Sequence, residues 1–204
     1  MVKAKTDAST EEKILTAARK VFIANGLAGA RMQEIADEAG INKAMLHYYF
    51  RSKEKLFETV LIETMQGFIP LMNAIFQSQA SLQEKIETFC NVYIDKMVEN
   101  PFIPLFVMNE INKQPEAFFK KVWGGKKPDL SSLIKQIEAG VNKNEIRPIN
   151  PPQLVMNIMA LCVFPFVAKP MFQLVMGIND KHFRLMMEER KQEIPMFIIN
   201  AIKK

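Results

Sequence analysis

Apolar residues recur at helical spacing from the beginning of the chain. One stripe near the N-terminus consists of Ile14, Ala17, Ala18, Val21 and Phe22. Ser9 and Glu12 precede it at the spacing of a capping box, so we expect the first helix to begin near Thr10. Asn25-Gly26 predicts its end, because glycine tolerates the left-handed conformation that follows many helices.

The same spacing continues to the C-terminus. Further helices are predicted over residues 53–68, 82–98, 128–140, 153–169 and 180–200. Pro70 should end or kink the first of these, since proline cannot donate the hydrogen bond that a helix interior needs. A Gly-Gly pair at 124–125 is consistent with a plain surface turn or with a gate for ligand entry. Repeats and strand-hairpin signals are lacking, which predicts an all-α fold.

Residues 33–55, QEIADEAGINKAMLHYYFRSKEK, have the spacing of a helix-turn-helix. Gly40 suits a sharp turn between two helices, and Ala36 is small enough for close packing. Asn42 can cap the second helix by accepting a bond from a free backbone N–H. Leu46 and Phe50 lie one turn apart, so both can face the core.

The charge pattern around this turn favours nucleic acid as the partner. Asp and Glu do not occur between Glu38 and Glu54, whereas Lys43, Arg51 and Lys53 do. A basic window without acids suits a polyanion, since each acid would repel phosphate. The alternative is a helical hairpin with a solvated basic face. The turn spacing combined with the charge favours DNA binding.

The segment from Thr10 to Leu61 resembles the DNA-binding domain of TetR-type transcriptional repressors. The resemblance rests on EEKILTAARKVFIANG, MQEIADEAGINKAMLHYYF and RSKEKLFETVL, and above all on LHYYF followed by SKE. It implies a three-helix DNA-binding domain over residues 1–52 and a helical effector-binding and dimerisation domain over residues 53–204. The helix that begins at Lys53 would belong to both domains and transmit movement between them.

Correspondence with that family implies a set of DNA-contacting residues. They are Gln33, Lys43, Ala44, Met45, His47, Tyr48, Tyr49 and Lys53. Lys43 suits a guanine edge and Gln33 an adenine, while Ala44 and Met45 can contact a thymine methyl. Tyr48, Tyr49 and Lys53 suit phosphates, and His47 suits either role.

The region after residue 53 is rich in soft apolar side chains. The chain has 14 Met and 15 Phe, and Met adapts to varied apolar partners. These residues are consistent with helical core or with a cavity for a small lipophilic effector, which the family resemblance favours. The wall residues predicted from helix order are Met65, Phe68, Phe89, Tyr93, Phe106, Met108, Glu110 and Met156. Glu110 can pair with a cationic ligand, cap the cavity or face water beside Lys113.

The last two predicted helices carry more apolar surface than one buried face requires. A four-helix bundle formed by two helices from each of two subunits would bury the excess, as the resemblance also implies. The residues predicted for this homodimer interface are Leu154, Ile158, Leu161, Phe183, Met187 and Ile198. A two-fold dimer would place its recognition helices about 34 Å apart, or at a related spacing, on palindromic double-stranded DNA.

The remaining composition excludes several other classes. The net charge of +5 permits nucleic-acid binding, and Cys90 and Cys162 lack metal-site spacing, so we expect two buried reduced thiols. With two histidines and no HExxH, GxSxG or Gly-rich phosphate loop, we predict no enzyme, metal or cofactor. Without a signal peptide or long apolar run, we expect a cytoplasmic protein that does not bind membranes.

The alternative function is a small-molecule sensor or carrier on the same scaffold, without operator-specific DNA binding.

Overall fold

The computed structural model describes residues 2–123 and 128–204. In these residues the chain forms eleven α-helices: α1 (Val2–Gly29), α2 (Met32–Ala39), α3 (Lys43–Tyr49), α4 (Lys53–Gln77), α5 (Leu82–Glu99), α6 (Ile103–Lys113), α7 (Pro115–Trp123), α8 (Ser131–Asn142), α9 (Pro151–Val167), α10 (Lys169–Met176) and α11 (Asp180–Ile202). An isolated antiparallel bridge links Ile146 to Lys203. The all-α prediction is therefore confirmed. The predicted Gly124-Gly125 turn lies outside the described residues.

The chain divides into two compact units, Met1–Gly67 and Phe68–Lys204. The division falls inside α4, whereas the sequence suggested a domain boundary after residue 52, where α4 begins. In the first unit α1 packs on α2, and α2 packs on α3. Phe22 of α1 meets Phe57 of α4 edge to face, with ring centroids 4.9 Å apart. Both rings are fully buried and form the centre of this unit's core.

The first helix is longer than expected, because α1 begins at Val2 rather than near Thr10. Residues 2–25 contain neither Gly nor Pro, so the backbone can continue as a helix through Ser9. At its other end the prediction holds. Gly26 has φ 64° and ψ 178°, which interrupts the helix where Asn25-Gly26 was expected to end it.

Pro70 does not end α4, which continues to Gln77. A proline inside a helix removes one donor and leaves the carbonyl four residues earlier, that of Gln66, without its helical partner. Pro70 and Gln66 are both exposed, so the helix loses this bond at its solvent-facing side.

The second unit is built around α5, which packs against α11 and α9. Its first turn is fixed by a capping box, since Ser81 Oγ accepts from the Glu84 N–H and Glu84 Oε2 accepts from the Ser81 N–H. The pKa of Glu84 is lowered, first by that backbone hydrogen bond and then by the Ser81 hydroxyl. Lys85 is buried and donates to the Phe76 carbonyl at 2.9 Å in the last turn of α4, and burial lowers its pKa.

Helix α10 was not expected from the sequence. The predicted helix over 153–169 ends at Val167, and a second helix begins at Lys169 at 70° to the first. Pro170 stands in the first turn of α10, a position where its missing N–H costs nothing. Gly177, with φ 64°, then ends the helix.

Two parts of the described chain are long and apolar enough to span a membrane by length and composition. One is α4, and the other is the bent pair of α9 and α10 taken together. Core helices of globular units meet the same criteria. Leu56, Phe57, Val60 and Leu61 of α4 are all buried within the chain.

The two glycines Gly40 and Gly67 should respond oppositely to alanine. Gly40 has φ 67°, a conformation that is unfavourable for alanine. Gly40→Ala should therefore lower the free energy of unfolding by about 1–2 kcal/mol, even though the added Cβ would meet no atom within 4 Å. Gly67 lies inside α4, and a Cβ added there would also meet no atom within 4 Å. Gly67→Ala should therefore raise the free energy of unfolding by about 0.5–1 kcal/mol, because alanine favours the helix over glycine. Urea unfolding followed by circular dichroism measures both. A stabilising Gly40→Ala would show that the turn is not left-handed.

Candidate nucleic-acid interface

The turn between α2 and α3 is fixed by two backbone hydrogen bonds. The Gly40 N–H donates to the Asp37 carbonyl at 3.1 Å, and the Ile41 N–H donates to the Ala36 carbonyl at 3.0 Å. This pattern satisfies carbonyls that the end of α2 would otherwise leave unpaired, and it requires the positive φ of Gly40. Ala36 is fully buried, as the close packing of the two helices demands.

Helix α3 is held at its start and at its middle. Asn42 Oδ1 accepts from the Met45 N–H at 2.7 Å, which confirms the predicted cap. Leu46 is fully buried and Phe50 nearly so, and these two anchors fix the rotation of the helix about its axis. The side chains that consequently face solvent are Lys43, Ala44, Met45, His47 and Tyr48.

The exposed aromatic of this surface is Tyr48, whose accessible fraction of 84% is large for a tyrosine. Its ring meets that of Tyr49 edge to face, with centroids 5.5 Å apart. Tyr49 is half-buried. The Tyr49 ring therefore contacts the Tyr48 ring and limits the orientations that the Tyr48 ring can take.

The acidic residues of α2 are held in polar contacts. Glu38 pairs with Lys20 at 2.8 Å, and Glu34 accepts from Asn25 Nδ2 at 2.7 Å. Asp37 accepts from Gln33 Nε2 at 2.8 Å. Gln33 is exposed, and its amide keeps a second N–H and its carbonyl oxygen for a base. The contacts of Glu38 and Glu34 join α2 to α1 and reduce the repulsion that their charges would exert on phosphate.

Lys53, the first residue of α4, is half-buried and has a structural partner that the sequence did not indicate. Its ammonium donates to the carbonyl of Ala30 at 3.0 Å and to that of Ala28 at 3.4 Å. Through these two hydrogen bonds Lys53 stabilises the segment that connects α1 to α2. Its neighbour Glu54 has a lowered pKa, chiefly because the carboxylate bonds to its own backbone N–H and then to Ser52.

A cluster of aromatic rings lies in the second unit, around Tyr93. The centroid of its ring is 5.8 Å from those of both Phe68 and Phe89, and 6.5 Å from that of Phe166. Phe76 stacks on Phe89 at 5.2 Å. We call these five residues the aromatic cluster. Tyr93 is buried, which raises its pKa, with a smaller contribution from the negative charge of Cys162 when ionised. The phenol therefore stays neutral and can donate a hydrogen bond.

The aromatic cluster brings together three of the eight predicted wall residues, namely Phe68, Phe89 and Tyr93. Of the other predicted wall residues, Met65 is buried and belongs to the first unit, Phe106 is half-buried, and Met108 and Met156 are exposed. Glu110 is half-buried and forms an ion pair with Lys113 at 3.0 Å, one of the three arrangements considered for it.

Most of the residues predicted for a dimer interface are buried in the core of a single chain. Leu154, Ile158, Phe183, Met187 and Ile198 are buried within the second unit, and Leu161 is half-buried. The exposed apolar side chains of the same helices are Met156, Met159, Phe164, Leu185, Met196 and Phe197. Helix α10 adds Met171, Leu174, Val175 and Met176, of which Leu174 is 84% exposed. We call these ten side chains the exposed apolar surface.

Both cysteines are free and buried, as predicted, and they lie in contact with each other. Among the described residues, no group of three or more His, Cys, Asp or Glu side chains is placed to hold a metal ion.

A helical unit with a capped, basic, solvent-facing helix after a glycine turn defines a helix-turn-helix DNA-binding protein.

Comparison with known proteins identifies the family. Residues 14–60 match the family model of bacterial regulatory proteins, tetR family, and residues 83–202 match the Tetracyclin repressor-like C-terminal domain. The second match alone spans more than half of the chain. The chain therefore belongs to the TetR family of bacterial transcriptional regulators.

Individual relatives agree with this assignment. The HTH-type transcriptional regulator RutR of Escherichia coli O157:H7 is 30% identical over 155 residues, which are 74% of this chain and 70% of RutR. The HTH-type transcriptional repressor NicS of Pseudomonas putida is 47% identical over 67 residues, 33% of this chain and 32% of NicS. The crystal structure of FadR from Bacillus subtilis in complex with stearoyl-CoA shares the fold. Its TM-score is 0.60 at 17% identity, over 92% of this chain and 97% of FadR.

Proposed function

We propose that this regulator is a repressor that binds a palindromic operator as a homodimer and releases it when a small lipophilic effector binds. The observation that carries the proposal is helix α3, which buries Leu46 and turns Lys43, Met45, His47 and Tyr48 to solvent. A short helix so presented suits the major groove of DNA. NicS, the relative with the highest identity quoted above, is named a repressor.

The exposed side chains of this helix divide into base-reading and phosphate-binding groups. Lys43 reads a guanine edge, and Met45 with Ala44 contacts a thymine methyl. Tyr48 and Tyr49 bind phosphates and fix the register of the helix, while His47 contacts either a base or a phosphate. The proposed partner is double-stranded DNA, and the proposed location is the cytoplasm.

Two further residues act from outside α3. Gln33 contacts an adenine with its second amide hydrogen and its carbonyl oxygen, while its bond to Asp37 orients the amide. Lys53 binds a phosphate, and it also holds the segment before α2 through Ala28 and Ala30. Lys53 thus has both an electrostatic role and a positioning role.

The exposed apolar surface supports a homodimer. Leu185 and Met196 are eleven residues apart, close to three helical turns, and therefore lie on one face of α11. Exposed apolar side chains that share a helix face are typical of protein–protein contacts. The bundle interface is formed by these exposed residues, while Leu154, Ile158 and Ile198 hold the same helices to their own subunit.

The aromatic cluster supports a lipophilic effector. Rings that meet at edges and faces, with one neutral phenol among them, form an apolar wall with a single polar group. FadR of Bacillus subtilis, which has the same fold, forms a complex with stearoyl-CoA. Effector binding favours a dimer in which the spacing of the recognition helices does not match the operator. This lowers the affinity for DNA by a coupling free energy of about 1–3 kcal/mol.

Substitution of two lysines tests the DNA contacts. Lys43→Ala should relax preference at one operator position and cost about 1–3 kcal/mol there, because it removes a base contact. Lys53→Ala should weaken binding to all sequences and lower the salt slope by about one unit, because it removes a phosphate contact. Fluorescence anisotropy with DNA from upstream of the protein's own gene, and with random DNA, measures both effects at several salt concentrations.

The control for the lysine test is Lys143→Ala, which removes an exposed positive charge from the second unit. It should bind like the parent. If Lys43→Ala and Lys53→Ala also bind like the parent, the chain does not recognise an operator through α3. A carrier or sensor without operator-specific binding would then be the better assignment.

A charge placed in the exposed apolar surface should separate the subunits. Met196→Asp buries a carboxylate in the dimer and should yield a species near 23.4 kDa, the mass of one chain, in sedimentation at micromolar concentration. Ile23→Asp, at a comparably exposed position in the first unit, should leave the parent's mass unchanged. A parent that sediments as one chain would contradict the dimer.

Conservative changes in the aromatic cluster should impair the effector response more than DNA binding. Phe89→Leu and Tyr93→Leu alter the apolar wall, so fatty acids, acyl-CoA thioesters or polycyclic aromatic compounds that raise the parent's melting temperature should raise theirs less. Phe118→Leu, a buried aromatic outside the cluster, is the matched control. If no compound of this panel shifts the melting temperature or releases DNA, the repressor is constitutive.

A further inference from the structure

Cys90 and Cys162 are 72 residues apart in sequence, yet their sulfur atoms are 3.7 Å apart. Cys90 lies on α5 and Cys162 on α9, both in the second unit. Each is almost fully buried, and neither is in a disulfide. The two sulfurs are therefore at van der Waals contact across a helix–helix interface.

A half-buried cation contacts the backbone next to this pair. Arg190 of α11 donates from Nη2 to the carbonyl of Leu161, the residue before Cys162, at 2.9 Å. Its Nε is buried and, among the described residues, has no hydrogen-bond partner. The pKa of Cys162 is raised, first by its hydrogen bond with Cys90 and then by burial, whereas the charge of Arg190 acts in the opposite direction. Ionisation of Cys162 is therefore disfavoured overall, and the charge of Arg190 reduces that cost without removing it.

We propose that Cys90 and Cys162 are a modification site, at which a small hydroperoxide oxidises the two thiols to a disulfide that joins α5 to α9. A disulfide bond is about 2.05 Å long, so the sulfurs must approach each other by less than about 2 Å. Rotation about the Cα–Cβ bonds and small shifts of the two helices can supply this movement. Nothing in the DNA-binding or effector-binding roles requires the two cysteines to be paired.

The reaction balances with one equivalent of hydroperoxide. The ionised sulfur of Cys162 attacks the terminal peroxide oxygen, the O–O bond breaks, and the leaving oxygen takes up the proton that Cys162 released. The product is a sulfenic acid at Cys162. The sulfur of Cys90 then attacks the sulfenic sulfur, the S–O bond breaks, and the oxygen leaves as water with the Cys90 proton. Two sulfurs give up two electrons and the peroxide receives them.

Burial determines which oxidants can react. Both sulfurs are closed to solvent, so a reagent must enter through local opening of the core. Hydrogen peroxide is small and uncharged and meets this requirement, whereas a bulky or charged disulfide does not. The reaction should therefore be slow and selective for size.

The disulfide would also affect the aromatic cluster, a consequence that rests on the proposed effector role. Cys90 follows Phe89 directly and precedes Tyr93 by one helical turn, and Tyr93 meets Phe166 of α9. A covalent link between α5 and α9 would hold these rings together. The space that an apolar ligand needs between them would then be harder to open.

Mass spectrometry of the intact, folded protein tests the modification. After treatment with millimolar hydrogen peroxide, and alkylation with N-ethylmaleimide in denaturant, the protein should carry no adduct and yield a cross-linked peptide containing Cys90 and Cys162. Dithiothreitol should restore two adducts. If two adducts remain after peroxide treatment of the folded protein, while protein unfolded in urea loses them under the same treatment, the proposal is wrong.

Variants separate the roles of the three residues. After peroxide treatment of the folded variants, dimedone added in denaturant should trap a sulfenic acid at Cys162 of Cys90→Ser and little at Cys90 of Cys162→Ser. Arg190→Gln should form the disulfide at least about threefold more slowly than the parent, and Arg190→Lys should retain more of the rate. Equal rates in all Arg190 variants that keep the parent's melting temperature would overturn the role of Arg190.

Binding of 1-anilinonaphthalene-8-sulfonate, an apolar fluorescent probe, tests the consequence for the cluster. The disulfide form should bind the probe about fivefold more weakly than the reduced form, and Cys90→Ser treated with peroxide should not show this change. Equal affinity in both forms would overturn the consequence. Failure of the reduced protein to bind its operator would instead count against the proposed function, and it would leave the mass result unaffected.

Discussion

The burial of Leu46 is the interaction on which the DNA-facing surface depends. Helix α3 has seven residues, far fewer than the roughly 12–15 that an isolated helix needs to be stable in water. It exists because Asn42 caps its start and Leu46 enters the core between α2 and its neighbours. Because a helix turns by about 100° per residue, that one anchored side chain determines which others face solvent. The identity of the exposed residues can then vary without loss of the fold.

Local signals explain how much of this unit could be predicted from sequence. The positive φ of Gly40, the cap by Asn42 and the burial of Leu46 and Phe50 each depend on residues within a few positions of one another. The start of α1 could not be predicted in the same way, because Ser9 and Glu12 form a capping pattern that a continuing helix simply overrides. The bond from Lys53 to Ala30 joins residues 23 apart, and no local pattern indicates it.

The second unit was harder to predict, because its last helices are apolar on more than one face. Periodicity located α9 and α11, but it could not tell which stripe faces the chain's own core. Ile158 and Met159 are adjacent and similar in character, yet the first is buried and the second exposed. The contact between Cys90 and Cys162 is likewise a product of packing between distant helices. Helix α10 was missed because Lys169-Pro170 reads equally well as the end of one helix or the beginning of another.

The pairing of α5 with α11 has a consequence for how the protein is made. The first unit consists of consecutive residues up to Gly67, and all parts of its core leave the ribosome early. Helix α5 emerges soon afterwards, but its partner α11 begins only at Asp180, about 80 residues after α5 ends. At about 5–20 residues per second, α5 waits on the order of ten seconds for that partner. During synthesis, therefore, the DNA-facing unit can form while the face of α5 that α11 covers is still exposed.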